Sequence, residues 1–198
     1  MKAVIGAILL IVGLALLGHG SYMQAKAWLA QRLIEQAWQV ALTTPEQQVK
    51  PWFYADSYVT AQLNWPSQKQ TLTILAGASG RNLAFAPSHF LASAELGSEQ
   101  AGVLIAGHND THFAFLQKVN VGEQFSLQTQ NGQIDRYRVR GIAVIHQSQY
   151  DFLAHKGLYL LTCYPFDSLA SGTELRLLVS ADKLPSPASV LSMSTTNS

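Results

Sequence analysis

The stretch from Leu158 to Phe166 reads Leu-Tyr-Leu-Leu-Thr-Cys-Tyr-Pro-Phe, and it indicates a buried β-strand that ends at the only cysteine of the chain. Pro165 follows two residues after Cys163, and a proline cannot donate the main-chain hydrogen bond that continues a central strand. A cysteine at the end of a core strand is either an inert buried thiol or a nucleophile held at the rim of a rigid sheet. The residues elsewhere in the chain decide between these two interpretations.

Two other polar residues occupy comparable places in the sequence. His108 follows the apolar run 103–106 and Gly107, which permits a turn into a polar loop. Arg176 interrupts the next apolar strand, where its guanidinium either faces solvent or stabilises a developing oxyanion. Because a catalytic thiol needs a base or a cation nearby, we predict Cys163, His108 and Arg176 to be the catalytic residues.

The remaining histidines carry weaker signals. His89 lies in a predicted loop, where it is expected to help shape a cleft. His108 and His112 are four residues apart, which suits a zinc site only if the segment is helical, whereas Gly107 and Asn109 indicate a loop. With no third ligand at a matching spacing, the sequence predicts no metal site and no cofactor.

The composition and net charge of the chain limit the kinds of partner that it can bind. The chain of 198 residues has a formal net charge of +1, so it shows no electrostatic footprint for nucleic acid. A single cysteine cannot form an intramolecular disulfide, which leaves Cys163 free to react.

The N-terminus predicts a compartment. Residues 3–18 are all apolar or glycine, and Lys2 precedes them. We interpret residues 1–23 as an uncleaved, single-pass signal-anchor in the inner membrane, with the rest of the chain outside the cytoplasm. The alternative is a cleaved signal peptide that ends at the Ala-Lys-Ala tripeptide 25–27.

Three further segments follow the predicted anchor. Residues 24–50 form an amphipathic helix and a linker, with Trp28 and Trp38 as anchors at a membrane surface or against the domain. Residues 51–184 form the catalytic domain, and residues 185–198, rich in Ser, Thr, Asn and Pro, form a disordered tail.

The catalytic domain has the sequence pattern of a mainly β protein. Asn131-Gly132 is a strong hairpin signal, a short helix is predicted at 113–119, and an irregular helical turn is predicted within 88–96. Many short strands with turn residues between them indicate an antiparallel barrel or sandwich. The predicted strands are Ser57–Leu63, Gln70–Leu75, Gly102–Ala106, Gln124–Gln130, Ile134–Ile145, Leu158–Cys163 and Leu175–Ser180.

Together, Gly107-His108, Leu161-Thr162-Cys163 and Arg176 resemble the motifs of the sortases, which are membrane-anchored cysteine transpeptidases. The resemblance covers residues 54–184. It implies a closed, eight-stranded β-barrel with short helices, preceded by an N-terminal membrane helix.

The sequence around the motifs resembles one sortase subgroup. The segment 107–116 is similar to the Gly-His-Arg-Asp-Thr-x-Phe-x-x-Leu pattern of class D sortases, and the chain also resembles the sortases of marine proteobacteria. Two positions depart from the family pattern. Tyr159 replaces the first Thr of the strand signature, and Asn109 replaces the frequent Arg after the histidine.

The resemblance implies a substrate and partners. Cys163 attacks the Thr–Gly bond of an LPxTG-like sorting signal, Arg176 stabilises the oxyanion, and His108 exchanges protons with the leaving and incoming amines. The acyl group then passes to an amine acceptor or to water. Thr162, His89 and Asn109 are expected to support substrate binding or the site.

Two other functions remain open at this point. One is a different extracytoplasmic cysteine peptidase, although papain-like enzymes place the cysteine before the histidine in the chain. The other is a non-catalytic, membrane-tethered β-barrel that binds peptides. Blocking Cys163 by alkylation separates this binding module from an enzyme.

Overall fold

The computed structural model describes residues 2–167 and 172–185. One long helix, α1 (Lys2–Thr43), leads into a closed β-barrel. The strands are β1 (Val59–Trp65), β2 (Gln70–Ala76), β3 (Ser88–His89), β4 (Gly102–Ala106), β5 (Gln124–Thr129), β6 (Ile134–His146), β7 (Gly157–Tyr164) and β8 (Leu175–Lys183). The short helix α2 (Gly80–Leu83) and 3-10 helices at Pro66–Gln68, Ala114–Lys118 and Asp151–Ala154 complete the described elements.

The barrel closes in the order β1-β2-β3-β4-β7-β8-β6-β5. The pairs β2–β3 and β4–β7 are parallel, and the other neighbouring pairs are antiparallel. The eight-stranded barrel implied by the resemblance is therefore confirmed, and the sandwich alternative is excluded. Seven of the strands match segments predicted from the sequence.

The eighth strand, β3, lies where a helical turn was predicted, so that prediction was wrong. Ser88 and His89 pair on one side with Leu75 and Ala76 and on the other side with β4. A strand of two residues is too short to show alternation in the sequence, and only its two neighbours make it a strand. The predicted short helix at 113–119 is confirmed by the 3-10 helix Ala114–Lys118.

Apolar residues at alternate strand positions fill the barrel. Trp65 stacks on Phe125 with ring centroids 4.3 Å apart, and Phe125 stacks in turn on Tyr137 at 5.5 Å. The interior also contains Leu63, Ile74, Val103, Ile105, Leu158, Leu160, Leu177 and Val179. Because side chains alternate across a strand, the residues between these positions face the outside of the barrel.

The C-terminal part of α1 packs on the outside of β1 and β2. Trp38 is 1 % exposed and contacts a cluster that includes Val59 and Leu75. Ile34, Ala37 and Ala41 complete the buried stripe of the helix, with the spacing of an amphipathic helix. Trp38 therefore anchors α1 against the domain, whereas Trp28 is 62 % exposed.

Within residues 2–167 and 172–185, none of the helices combines the length and the apolar character needed to cross a membrane. The transmembrane signal-anchor predicted in residues 1–23 thus has no support in the structure. The predicted disordered tail, 185–198, lies outside the described residues except for Pro185.

Candidate active site

Cys163 and Arg176 lie directly opposite each other on the antiparallel strands β7 and β8. Directly opposed residues in such a pair have Cβ atoms about 4.5–5.5 Å apart. Leu160 and Leu177 point into the barrel, so the alternation places Cys163 and Arg176 together on its outer face. The cysteine is free and half-buried, as a reactive thiol that must meet a substrate needs to be.

His108 reaches the same face from β4. The parallel register of β4 and β7 places Ala106 beside Leu161, and two further residues along each strand lead to His108 and Cys163. Ile105 points into the barrel, so alternation places position 106 on the outer face, in step with Leu161 and Cys163. His108 is exposed to solvent at the strand end.

Two hydrogen bonds hold the loop of His108 against the end of β7. One residue before His108 and Cys163, the hydroxyl of Thr162 donates to the carbonyl of Gly107 at 2.7 Å. After His108 and Cys163, the side-chain amide of Asn109 donates to the carbonyl of Pro165 at 3.2 Å. One hydrogen bond between the two segments thus precedes His108 and Cys163, and the other follows them. Thr162 and Asn109, predicted as supporting residues, therefore join the His108 loop to the end of β7.

Gly107 allows the chain to turn closely at His108. The backbone N–H of Phe113 donates to the carbonyl of His108 at 2.9 Å, which closes the loop. A Cβ atom at position 107 would lie 2.8 Å from the ring of Phe113, which is fully buried and has no room to move. A glycine is therefore required here by a close approach.

The guanidinium of Arg176 is held at the base of the loop between β7 and β8. It donates to the carbonyl of Thr173, to that of Leu175 at 2.8 Å, and to the side-chain oxygen of Gln147 at 2.9 Å. A guanidinium has five donors in a rigid fork, so such contacts position the cation and leave donors for another acceptor. Nothing in the sequence pattern pointed to Gln147, because its partner lies 29 residues away.

A second histidine lies in the His108 loop. Burial and the nearby charge of His108 lower the pKa of His112, and they outweigh the opposing effects of a hydrogen bond to the Phe85 backbone and of Asp110. His112 is therefore held neutral at neutral pH. A metal site was not predicted for this pair, and the described residues contain no group of three or more His, Cys, Asp or Glu side chains that could hold a metal ion.

His89 is not part of this face. It pairs with Ile105, which points into the barrel, and its ring nitrogen Nε2 lies 2.9 Å from the carbonyl of Ala94 and 3.3 Å from the hydroxyl of Ser93. Burial lowers the pKa of His89, despite opposing effects of the Ala94 backbone and Glu95. The structure thus places this predicted supporting residue in the barrel wall, where it holds the turn that follows β3.

Tyr159, one of the two departures from the family pattern, is a structural residue. Its buried hydroxyl accepts a hydrogen bond from Arg140 at 2.7 Å and donates to the carbonyl of His155 at 3.2 Å. Its ring packs beside Phe152 with centroids 4.8 Å apart. Tyr159 therefore ties β7 to the loop that precedes it.

Comparison with known proteins identifies the family and the fold of the chain. The family model for the sortase domain matches residues 63–184, which is more than half of the chain. A search of curated proteins found no match.

Solved sortase structures resemble the chain in fold. The complex of Streptococcus agalactiae sortase C1 and MTSET is 27% identical, with a TM-score of 0.56 over 64% of this chain and 67% of that one. Sortase C-1 from Actinomyces oris is 25% identical, with a TM-score of 0.57 over 64% of this chain and 73% of that one. Sortase A from Corynebacterium diphtheriae, at 22% identity and a TM-score of 0.60 over 82% and 86% of the two chains, supports the fold alone. The chain belongs to the sortase family of cysteine transpeptidases.

Proposed function

We propose that this chain cleaves an LPxTG-like sorting signal between Thr and Gly and transfers the acyl group to an amine or to water. The observation that supports this proposal is the register of three strands, which sets Cys163 opposite Arg176 and ends β4, two residues before His108, beside Leu161. A rigid sheet supplies such residues with little conformational freedom to lose before the reaction.

In the first half-reaction, the thiolate of Cys163 attacks the carbonyl carbon of the Thr residue. A C–S bond forms, and the carbonyl oxygen becomes an oxyanion beside the guanidinium of Arg176. One preorganised donor to such an oxyanion is typically worth about 2.7–4 kcal/mol. The C–N bond to Gly then breaks as the imidazolium of His108 protonates the leaving amine, which leaves a thioester on the enzyme.

In the second half-reaction, an amine attacks the thioester carbonyl. Neutral His108 accepts the proton of this amine, and the C–S bond breaks to restore the thiolate of Cys163. Water takes the same path as a competing acceptor and yields a carboxylic acid. The hydrogen bonds of Thr162 and Asn109 keep the histidine and the cysteine aligned through both half-reactions.

The test is cleavage of a fluorogenic LPxTG-like peptide library, with and without added amines, followed by mass spectrometry of the enzyme. We expect an acyl-enzyme adduct on Cys163 and an amide product when an amine is present. The Cys163→Ala variant should fold normally and show neither. Unchanged cleavage by this variant would refute the proposal, and undiminished peptide binding after alkylation of Cys163, without any cleavage, would favour a binding module instead.

Two finer assignments remain predictions of the sequence. The class D-like or marine proteobacterial character rests on the segment 107–116, and the same peptide library tests it through the preferred sorting motif. The location of the catalytic domain on the outer side of the inner membrane rests on the apolar residues 3–18. Protease accessibility of the domain in intact and permeabilised spheroplasts tests that location.

A further inference from the structure

A turn between α1 and β1 carries exposed aromatic side chains. The ring of Phe53 is 93 % exposed and that of Tyr54 is 70 % exposed, and the two rings meet edge to face with centroids 4.9 Å apart. Trp52 precedes them and packs edge-on against Phe85 at 5.1 Å, which fixes the turn to the domain. Single exposed apolar residues are common, but two adjacent aromatic rings displayed on a fixed turn indicate an interaction surface. We call residues 52–54 the aromatic turn.

The aromatic turn lies beside the middle of α1. Trp52 and Tyr54 line a groove of about 630 Å³ together with Met23, Lys26 and Ala27. Before this level of the helix, the large apolar side chains that the structure describes are exposed. They are Ile5, Leu9, Leu10, Ile11, Val12, Leu14, Leu16 and Leu17.

Cations accompany the aromatic rings at this level of the helix. The ammonium of Lys26 lies 5.4 Å from the centroid of the Tyr22 ring, and the guanidinium of Arg32 lies 5.4 Å from that of the exposed Trp28. Lys50 is exposed just before the aromatic turn. Tyr and Trp, together with Lys and Arg, are enriched where a lipid bilayer meets water. The aromatic rings and aliphatic stems of these residues are apolar, whereas their polar ends stay hydrated.

The acidic residues nearby leave this cationic character in place. Asp56 forms an ion pair with Arg81, and Glu35 keeps its negative charge but contacts Gln62 and Thr73 of the barrel, so Lys26, Arg32 and Lys50 outnumber it. The cations that flank the aromatic rings therefore complement an anionic lipid surface, to which each basic residue near the headgroups adds attraction.

We propose that the aromatic turn and the exposed apolar half of α1 bind the same lipid bilayer, with Phe53 and Tyr54 inserted among the headgroups of anionic lipids. The helix alone leaves the domain free to rotate about the helix axis. A second contact from the aromatic turn removes that freedom and gives the barrel one orientation towards the bilayer. This proposal does not depend on the transpeptidase chemistry, so failure of peptide cleavage would leave it intact.

The experiment uses the full chain with Cys163→Ala and a single new cysteine that carries an environment-sensitive fluorophore. One variant has Phe53→Cys in the aromatic turn. The matched control has Val121→Cys, which replaces another exposed apolar residue, 62 % exposed, in the loop before β5. That loop lies near the Trp65 end of β1, whereas the aromatic turn precedes its Val59 end, and the strand of seven residues separates them by about 20 Å.

Vesicles of phosphatidylethanolamine and phosphatidylglycerol are then added. We expect a blue shift and a gain in emission at position 53, quenching there by brominated lipids, and no change at position 121. A water-like signal at position 53 while the protein is bound to vesicles would overturn the proposal, as would equal shifts at both positions or no vesicle binding. A shift at position 53 that grows with protein concentration in the absence of vesicles would assign the turn to self-association instead.

An affinity measurement checks the same proposal without a label. Phe53→Ser should weaken the affinity of the protein for these vesicles, measured by co-sedimentation, by on the order of tenfold. The reason is that the burial of one aromatic ring is lost. Val121→Ser should leave binding unchanged. Cleavage of a soluble peptide should be equal in both variants, which separates lipid binding from catalysis. Unaltered vesicle binding by Phe53→Ser would count against the proposal.

Discussion

The outer face of β1 and β2 is covered by α1, whereas the outer face at the ends of β4, β7 and β8 carries His108, Cys163 and Arg176. Both faces belong to one closed barrel, and strand alternation supplies outward positions to both. On the first face, Val59 and Leu75 pack under the helix, and Gln62 and Thr73 donate hydrogen bonds to Glu35 of α1. On the second face, Leu104, Tyr159 and Leu178 form a buried apolar cluster, and beyond it His108, Cys163 and Arg176 lie at strand ends that are partly open to solvent.

This difference separates stability from chemistry within one sheet. Burial of apolar area under α1 contributes free energy of folding, while the half-open face presents groups that a substrate must reach. Substitutions on the two faces should therefore affect different measurements. The four predictions that follow test this separation, and they are ordered from the largest expected effect to the smallest.

Trp38→Ala should lower the free energy of unfolding by about 3–5 kcal/mol, because it leaves a cavity between α1 and the barrel. Trp28→Ala, on the same helix, is the control and should change it by less than about 0.5 kcal/mol, since this side chain is exposed. Urea denaturation followed by circular dichroism measures both. Equal effects of the two substitutions would show that α1 does not depend on its buried stripe.

Arg176→Lys should lower kcat/KM by about 10²–10³, because an ammonium cannot reproduce the guanidinium fork beside the oxyanion. Its thermal unfolding should stay close to that of the unaltered chain. Arg138→Lys, at an exposed position on the neighbouring strand β6, is the control and should keep full activity. A loss of stability that parallels the loss of activity would instead assign Arg176 a structural role.

Gly107→Ala should cost about 1–3 kcal/mol of stability, since the new methyl group meets the ring of Phe113. Activity should fall as well, because the loop that carries His108 must shift. Gly141→Ala is the control, as no heavy atom lies within 4 Å of its Cβ position.

A double variant provides the rescue. Adding Phe113→Leu to Gly107→Ala should restore part of the activity by making room for the methyl group. If the rescue fails while stability recovers, the position of His108 depends on something other than this contact.

Glu123→Gln should produce the smallest effect, about 1 kcal/mol at neutral pH. Burial alone would raise the pKa of Glu123, but hydrogen bonds from Ser67, Gln68, the Asn120 backbone and Trp65 outweigh it and lower the pKa to about 2. A carboxylate with a depressed pKa stabilises the fold above its ordinary pKa, and this stability is lost as the pH falls towards the folded-state value.

The stability gap between the unaltered chain and Glu123→Gln should therefore close between a pH near the ordinary value of 4.5 and a pH of about 2. Thermal unfolding across this range measures it, with Glu46→Gln at an exposed position as the control. A gap that is independent of pH would show that shape, and not charge, matters at position 123.

The sequence alone predicted much of the fold. Apolar alternation and turn residues located seven strands, because burial of one face leaves a period of two in the sequence. The two-residue strand β3 escaped prediction, since nothing local distinguishes Ser88-His89 from a turn.

The site was predicted as a set of residue types rather than as a geometry. Cys163, His108 and Arg176 each stand out as polar residues at the end or in the middle of an apolar strand. His89 was predicted only to support the site from a loop, yet it lies in the barrel wall, because its strand partner Ile105 faces the interior. The hydrogen bonds of Arg176 to Gln147 and of Asn109 to Pro165 join distant segments, so no local pattern predicts them.

The sequence by itself determined which residues carry reactive chemistry and which strands they end, because residue type and hydrophobic periodicity are local properties. Only the tertiary structure decided that Cys163 opposes Arg176 with the His108 loop held beside them, that His89 pairs with Ile105, and that Phe53 and Tyr54 are displayed beside α1. These outcomes depend on strand register and barrel closure. Both are set by contacts between residues far apart in the chain, which leave no local signature.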